Sequence, residues 1–177
     1  MFYKLVIFTT LFCLGSFASN DIKNLDTFKA NFTQTIISSS DNKIEYKGEV
    51  FIKKTGKILW KYKTPVLKNV YITDTFAVVD EPELEQAIYT ELESEINIIK
   101  LLNSSKKIDN NNYKTNIDDT DYEIKTSKTN DKIEFINYKD KLENKVEIKF
   151  SDVIQNGELS DEIFKFTIPE HYDIIRK

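Results

Sequence analysis

The chain has one cysteine, one histidine and one tryptophan among 177 residues, with four glycines and three prolines. A lone cysteine makes no intrachain disulfide, and one cysteine with one histidine cannot build a zinc cluster. So few glycines leave no Gly-rich phosphate loop, and no serine nucleophile elbow is present. No stretch rich in Pro, Gly or Ser marks a linker, and no internal repeat divides the chain. Basic residues number 25 and acidic residues 29. That mild, dispersed negative balance excludes nucleic acid as a natural partner and fits a solvated surface. Carboxylates are plentiful, yet no spacing among them nominates a pair for acid/base work. His171, in "PEHYD", reads as a surface histidine. "DDTD" at Asp118 to Asp121 lacks the glycine and closing glutamate of an EF-hand loop and reads as an acidic turn. No metal, cofactor or catalytic residue is expected.

Long apolar runs are also missing, except at the start, "MFYKLVIFTTLFCLGSFASND". Lys4 supplies a positive start, and Leu5 to Leu14 is apolar apart from two threonines. Ser16 and Ala18 then stand at the small-residue positions before a cut. This is the layout of a secretory signal peptide, too short for a stable membrane span. It predicts cleavage after Ala18, with a signal peptide over 1–18 and a single domain over 19–177. Phe12 precedes Cys13, where a lipoprotein signal needs a small residue, so no lipid anchor is expected. Cys13 leaves with the signal peptide. The exported chain is then a soluble, thiol-free domain held together by packing.

After residue 18 the chain opens with "NDIKNLDTFKANFTQTI". Asn20 or Asp21 can cap a helix, and Ile22, Leu25, Phe28 and Phe32 follow at spacings of three and four. That stripe predicts a helix from about Asp21 to Phe28, although "ANFTQTII" reads equally well as the start of a strand. A long β region follows. In "KIEYKGEVFIKK", Ile44, Tyr46, Val50 and Ile52 share one face, while lysines and glutamates share the other, with Phe51 as the exception. "KILWKYK" puts Ile58, Trp60 and Tyr62 on one face, and Lys57, Leu59, Lys61 and Lys63 on the other. "NVYIT", "FAVVDE" and "LEQAIYT" are shorter strand candidates.

The period then changes. Leu92, Ile96, Ile99 and Leu102, widened by Ile98 and Leu101, predict a helix from about Glu93 to Leu102. Strands return in "YKTNI", "DYEIKTS", "KIEFINYK", "KVEIKFSDVI" and "IFKFTI", separated by Asn/Asp/Gly turns. The sum is α+β: one antiparallel, strongly curved sheet, with an early helix and an inserted helix packed against it. The apolar sheet face and the helix stripe either fill each other or stand apart around an apolar hollow. Pattern alone leaves both open.

Three stretches carry a resemblance to a known family. "TFKANFTQTI" (Thr27 to Ile36), "GEVFIKKTGKILWKYKTP" (Gly48 to Pro65) and "LEQAIYTEL" (Leu84 to Leu92) resemble, in order and interval, the LolA family of periplasmic carriers of outer-membrane lipoproteins. "FKFTIPEHYDII" is similar to the family's closing segment. With the leader, the similarity spans essentially the whole chain, although roughly 103–144 matches only in strand pattern. The resemblance implies an unclosed β half-barrel whose apolar hollow is covered by helices. It implies a monomeric, non-enzymatic chaperone that takes acylated lipoproteins from an inner-membrane ATP-driven transporter. The cargo would pass to an outer-membrane acceptor such as LolB, whose own lipobox this chain lacks. It implies a hollow walled by Val50, Ile52, Ile58, Trp60, Tyr62, Val70 and Ile72, with Ile96 and Ile99 in the lid. Where the family has arginine then proline, this chain has Lys54 and Thr55. That arginine ties barrel to lid, so Lys54 is the expected latch, without the planar fork of donors. The alternative is a periplasmic regulatory or structural half-barrel that binds protein partners and carries no lipid.

Overall fold

The computed structural model describes residues 22–73, 76–91 and 98–177. The leader, its expected cut and Cys13 lie outside the described residues. The expected early helix is not what forms. Ile22–Asn24 is a single 3-10 turn, and Thr27–Ile37 is a strand, β1. The Ile22, Leu25, Phe28, Phe32 stripe is buried, but it reaches the core by two routes. Ile22 and Leu25 fold in from the turn, while Phe28, Ala30 and Phe32 alternate inward from the strand. "TFKANFTQTII" is rich in β-branched and aromatic residues, and it is paired on both edges, which together outweigh the helical spacing.

The other strands are β2 (Lys43–Lys53), β3 (Ile58–Thr64), β4 (Lys68–Ile72), β5 (Phe76–Glu81) and β6 (Gln86–Glu91). After the helix α1 (Ile98–Ser104) come β7 (Lys106–Lys107), β8 (Asn112–Ile117) and β9 (Thr120–Thr126). The last are β10 (Ile133–Lys139), β11 (Lys145–Gln155) and β12 (Asp173–Arg176). They form one curved, unclosed sheet in the order β12-β6-β5-β4-β3-β2-β1-β11-β10-β9-β8-β7. Every pairing is antiparallel except β12 beside β6. The expected inserted helix begins at Ile98 among the described residues, and its predicted start at Glu93 lies outside them.

The expected strand "IFKFTI" is a second correction. Asp161–Phe164 is a 3-10 turn capped by the Ser160 hydroxyl, which accepts from Glu162 N. This segment lies across the outer face of the sheet. Phe164 joins Phe51 and Leu59 in a small apolar cluster with Tyr71, Leu159 and Ile163 around it. Phe166 stacks at 5.3 Å on Tyr71. Packing of alternate apolar side chains onto an existing sheet thus takes the place of a ladder.

The "DDTD" segment is a turn, as its composition suggests. Asp118 and Asp119 both adopt positive φ, 49° and 61°, the left-handed pair that a two-residue hairpin requires. Gly48 is required for a different reason. A Cβ there would lie 1.9 Å from the Lys61 carbonyl oxygen and 2.9 Å from Phe32 Cε1. Gly48→Ala is expected to lower stability by about 2 kcal/mol or more, read as a shift in the urea midpoint at unchanged slope.

Candidate functional site: the inner face of the sheet

The strand registers explain how scattered sequence positions meet. One rung runs Phe28, Ile52, Ile58, Ile72, Ala77 across five strands. The next runs Ala30, Val50, Trp60, Val70, Val79, Ile88. Because side chains alternate, every residue of both rungs points to the same face. The third rung contains Phe32, Gly48, Tyr62 and Lys68. With no side chain at Gly48, the Phe32 ring meets Trp60 and Tyr62 edge-on, at 4.9 and 5.1 Å. Tyr62 also meets Tyr46 edge-on at 5.8 Å, and its hydroxyl donates to Gln34 Oε1. Lys68 Nζ lies 4.5 Å from the Tyr62 ring centre. The inner face therefore grades from mostly aliphatic rungs, each with one aromatic ring (Phe28, Trp60), to an aromatic and hydrogen-bonding rung at the other end.

Val50, Ile52, Ile58, Trp60, Val70 and Ile72 lie together in one buried apolar cluster, with Tyr62 packed against it half-buried. Ile98, Leu101 and Leu102 of α1 belong to the same cluster. Ile99 lies in α1, and Ile96 is outside the described residues. Sequence reasoning missed the far wall of this face. Tyr113, Ile124, Ile136, Ile148 and Phe150 from β8 to β11 are equally buried in the cluster. The signal was present in the alternation of "KVEIKF", whose Val146, Ile148 and Phe150 face inward opposite Ile36, Gln34 and Phe32.

At the end where α1 sits, it packs on the Ile22–Asn24 turn and on β8. A small cavity of about 10 Å³ marks the seam, lined by Leu25, Phe28, Ile52, Lys54, Ile98 and Leu102 among others. Lys54 N donates to Asp26 O at 2.8 Å, and its Nζ lies 3.2 Å from Asp26 Oδ1. Both side chains are mostly exposed, so this ion pair contributes well under about 1 kcal/mol. The arrangement ties the β2–β3 turn to the approach of β1, beside the helix. Among the described residues no cluster of metal-ligating side chains occurs. His171 is exposed and stacks edge-on with Tyr172.

The sequence profile of the family described as outer membrane lipoprotein carrier protein LolA matches residues 23–132. The chain belongs to the LolA family. It is 34% identical to the outer-membrane lipoprotein carrier protein of Campylobacter jejuni, over 86% of this chain and 88% of that one. It is also 34% identical to the protein of that name in Wolinella succinogenes, over 92% of this chain and 94% of that one. Among solved structures, an uncharacterized conserved protein from Thermus thermophilus superposes with a TM-score of 0.53 at 10% identity. It covers 88% of this chain and 93% of its own, and the likeness is one of fold alone. The two apolar rungs of the inner face carry no titratable side chain.

Tyr122, on the inner side of β9, packs at 5.0 Å on Tyr138. Its hydroxyl is pushed above the usual tyrosine value, first by burial and then by the Asp118 carboxylate, against an opposing hydrogen bond with Thr120. Folding thus favours neutral Tyr122. That contribution is complete below about pH 10 and fades as pH rises through the higher folded-state value. Tyrosinate absorbance is expected to show Tyr122 ionising later than an exposed tyrosine, with Asp118→Asn bringing it part of the way back.

Proposed function

We propose that this chain is a soluble periplasmic carrier, which shields the acyl chains of lipoproteins and moves them from the inner membrane toward the outer membrane. The observation that carries the reading is the inner face of an unclosed sheet, apolar over two full rungs, in a chain of the LolA family. Val50, Ile52, Ile58, Trp60, Tyr62, Val70 and Ile72 are the wall that contacts alkyl chains. α1, with Ile99, is the described part of the cover, and Ile96, outside the described residues, is the other cover residue. Residues 1–18 are the export signal, and 19–177 the carrier domain. Loading energy comes from an ATP-driven transporter in the inner membrane, and a LolB-like protein, where one exists, is the acceptor. The chain acts as a monomer, without cofactor and without a covalent step.

Two measurements test this. Trp60 is the only tryptophan, so its emission reports directly on the wall. An apolar fluorescent probe is expected to shift Trp60 emission on binding and to be displaced by acylated lipoprotein. Trp60→Ala is expected to weaken the probe by about tenfold, as loss of roughly half a buried aromatic contact would. Lipoprotein recovered with the protein from periplasmic extract, seen by mass spectrometry, is the cellular counterpart. Absence of both, with protein partners recovered instead, favours the regulatory half-barrel.

Lys54 is the proposed latch between the turn and the covered end. Lys54→Arg adds a planar fork of donors at the rim of the α1 seam. It is expected to slow probe release and raise amide protection in α1. Unchanged release and unchanged protection remove Lys54 from the latch role.

A further inference from the structure

Five turns lie at the end of the sheet away from the α1 seam. They are the β1–β2, β3–β4, β5–β6, β8–β9 and β10–β11 connections, as the strand registers require. Large apolar side chains stand in water at this end. Ile44 is 49% exposed, Val66 45%, Leu67 41%, Leu84 64% and Leu142 78%. An apolar side chain at a turn tip adds nothing to the core, and single ones are ordinary. At this end three turns carry them, β3–β4, β5–β6 and β10–β11, with Ile44 on β2 just below the β1–β2 turn; Phe76, Ile108 and Ile154 are exposed elsewhere.

Their charged neighbours divide them. Val66 and Leu67 lie between Lys63 and Lys68, Ile44 follows Lys43, and Leu142 follows Lys141 with Lys139 and Lys145 nearby. The strands that carry these tips are contiguous in the sheet, β4-β3-β2-β1-β11-β10. Several acidic groups of this arc are already engaged, while Asp41 stands exposed in the β1–β2 connection. Glu45 pairs with Lys43 and Lys47, and Glu143 with Lys139. Asp140 accepts from Leu142 N, Asn144 N and Asn144 Nδ2 within its own turn. Leu84, outside the arc, sits instead between Glu83 and Glu85.

We propose that this arc docks on an anionic lipid surface, with Val66, Leu67, Ile44 and Leu142 entering the headgroup boundary and the lysines meeting phosphates. A protein groove demands one continuous apolar patch. Single apolar side chains on separate tips, each beside lysine, suit the soft boundary of a bilayer, where apolar insertion and attraction to anionic lipid add. The half-exposed Tyr46 and Tyr62 lie just inside the same end, so docking would set the aromatic end of the inner face against the membrane. The proposal rests on the carrier reading only for its purpose, since alkyl chains must pass between sheet and bilayer.

Flotation with vesicles of phosphatidylethanolamine and phosphatidylglycerol tests it. The unsubstituted protein is expected to float at low salt and to be released as salt rises or when phosphatidylcholine replaces both lipids. Val66→Glu with Leu67→Glu and Leu142→Glu is expected to cut vesicle binding about tenfold or more. Leu84→Glu is expected to change nothing. In a Cys13→Ser background, an environment-sensitive dye on Leu67→Cys or Leu142→Cys should brighten with these vesicles, and on Leu84→Cys should not. No flotation, equal flotation of the triple variant, or the same response at Leu84 overturns the proposal. Probe uptake in free solution is read alongside and is expected to be untouched by the triple substitution. If the unsubstituted protein takes up no probe, the carrier reading falls while the docking result stands by itself.

Discussion

Strand β1 holds the molecule together. On one edge it pairs with β2, which begins the run from β2 to β6, and on the other with β11, which ends the run from β8. Both ladders extend over most of its eleven residues. Each half of the sheet is a local meander, cheap in loop entropy, but the join between β1 and β11 spans more than a hundred residues of chain. The two halves share an inner face only because this one strand is paired twice. Phe28, Ala30 and Phe32 then lie at the centre of the apolar cluster, in contact with walls from both halves.

The same strand shows where sequence reading stops. Spacings of three and four in Ile22, Leu25, Phe28 and Phe32 spelled a helix, and all four are indeed buried. Burial is what periodicity encodes; the path by which each residue gets there is set by pairing with β11, which no local window contains. The β2–β3 hairpin was legible for the opposite reason. Its partner strands are adjacent, and Val50, Ile52, Ile58 and Trp60 alternate cleanly against lysine and glutamate. The contact of Lys54 with Asp26 had no local signal in the sequence. Asp26 belongs to the approach to β1, which had been read as helix.

Irregularities in the pattern also carried information. Phe51 and Leu59 break the polar face of β2 and β3. Both are buried by Phe164, Leu159 and Ile163 from the segment that crosses the outer face. Two apolar residues on a basic face thus signalled a covering segment whose own sequence, "IFKFTI", was mistaken for a strand. The rim residues are the complementary case. Val66, Leu67 and Leu142 are apolar and remain uncovered, so the fold gives them no internal role.

In the proposed carrier, reversible holding of alkyl chains would follow from how the inner face is covered when nothing is bound. Burial of apolar surface contributes about 25 cal/mol per Å², so a preformed dry site for several acyl chains would bind far too tightly to release them. Here Ile98, Leu101 and Leu102 already occupy the inner cluster. On the proposed reading cargo would displace the protein's own side chains, and only the difference between two apolar coverings would remain as affinity. The described part of α1 is anchored in this cluster by Ile98, Leu101 and Leu102. In the proposed carrier, exchange between α1 and cargo over this surface would set how readily cargo is released.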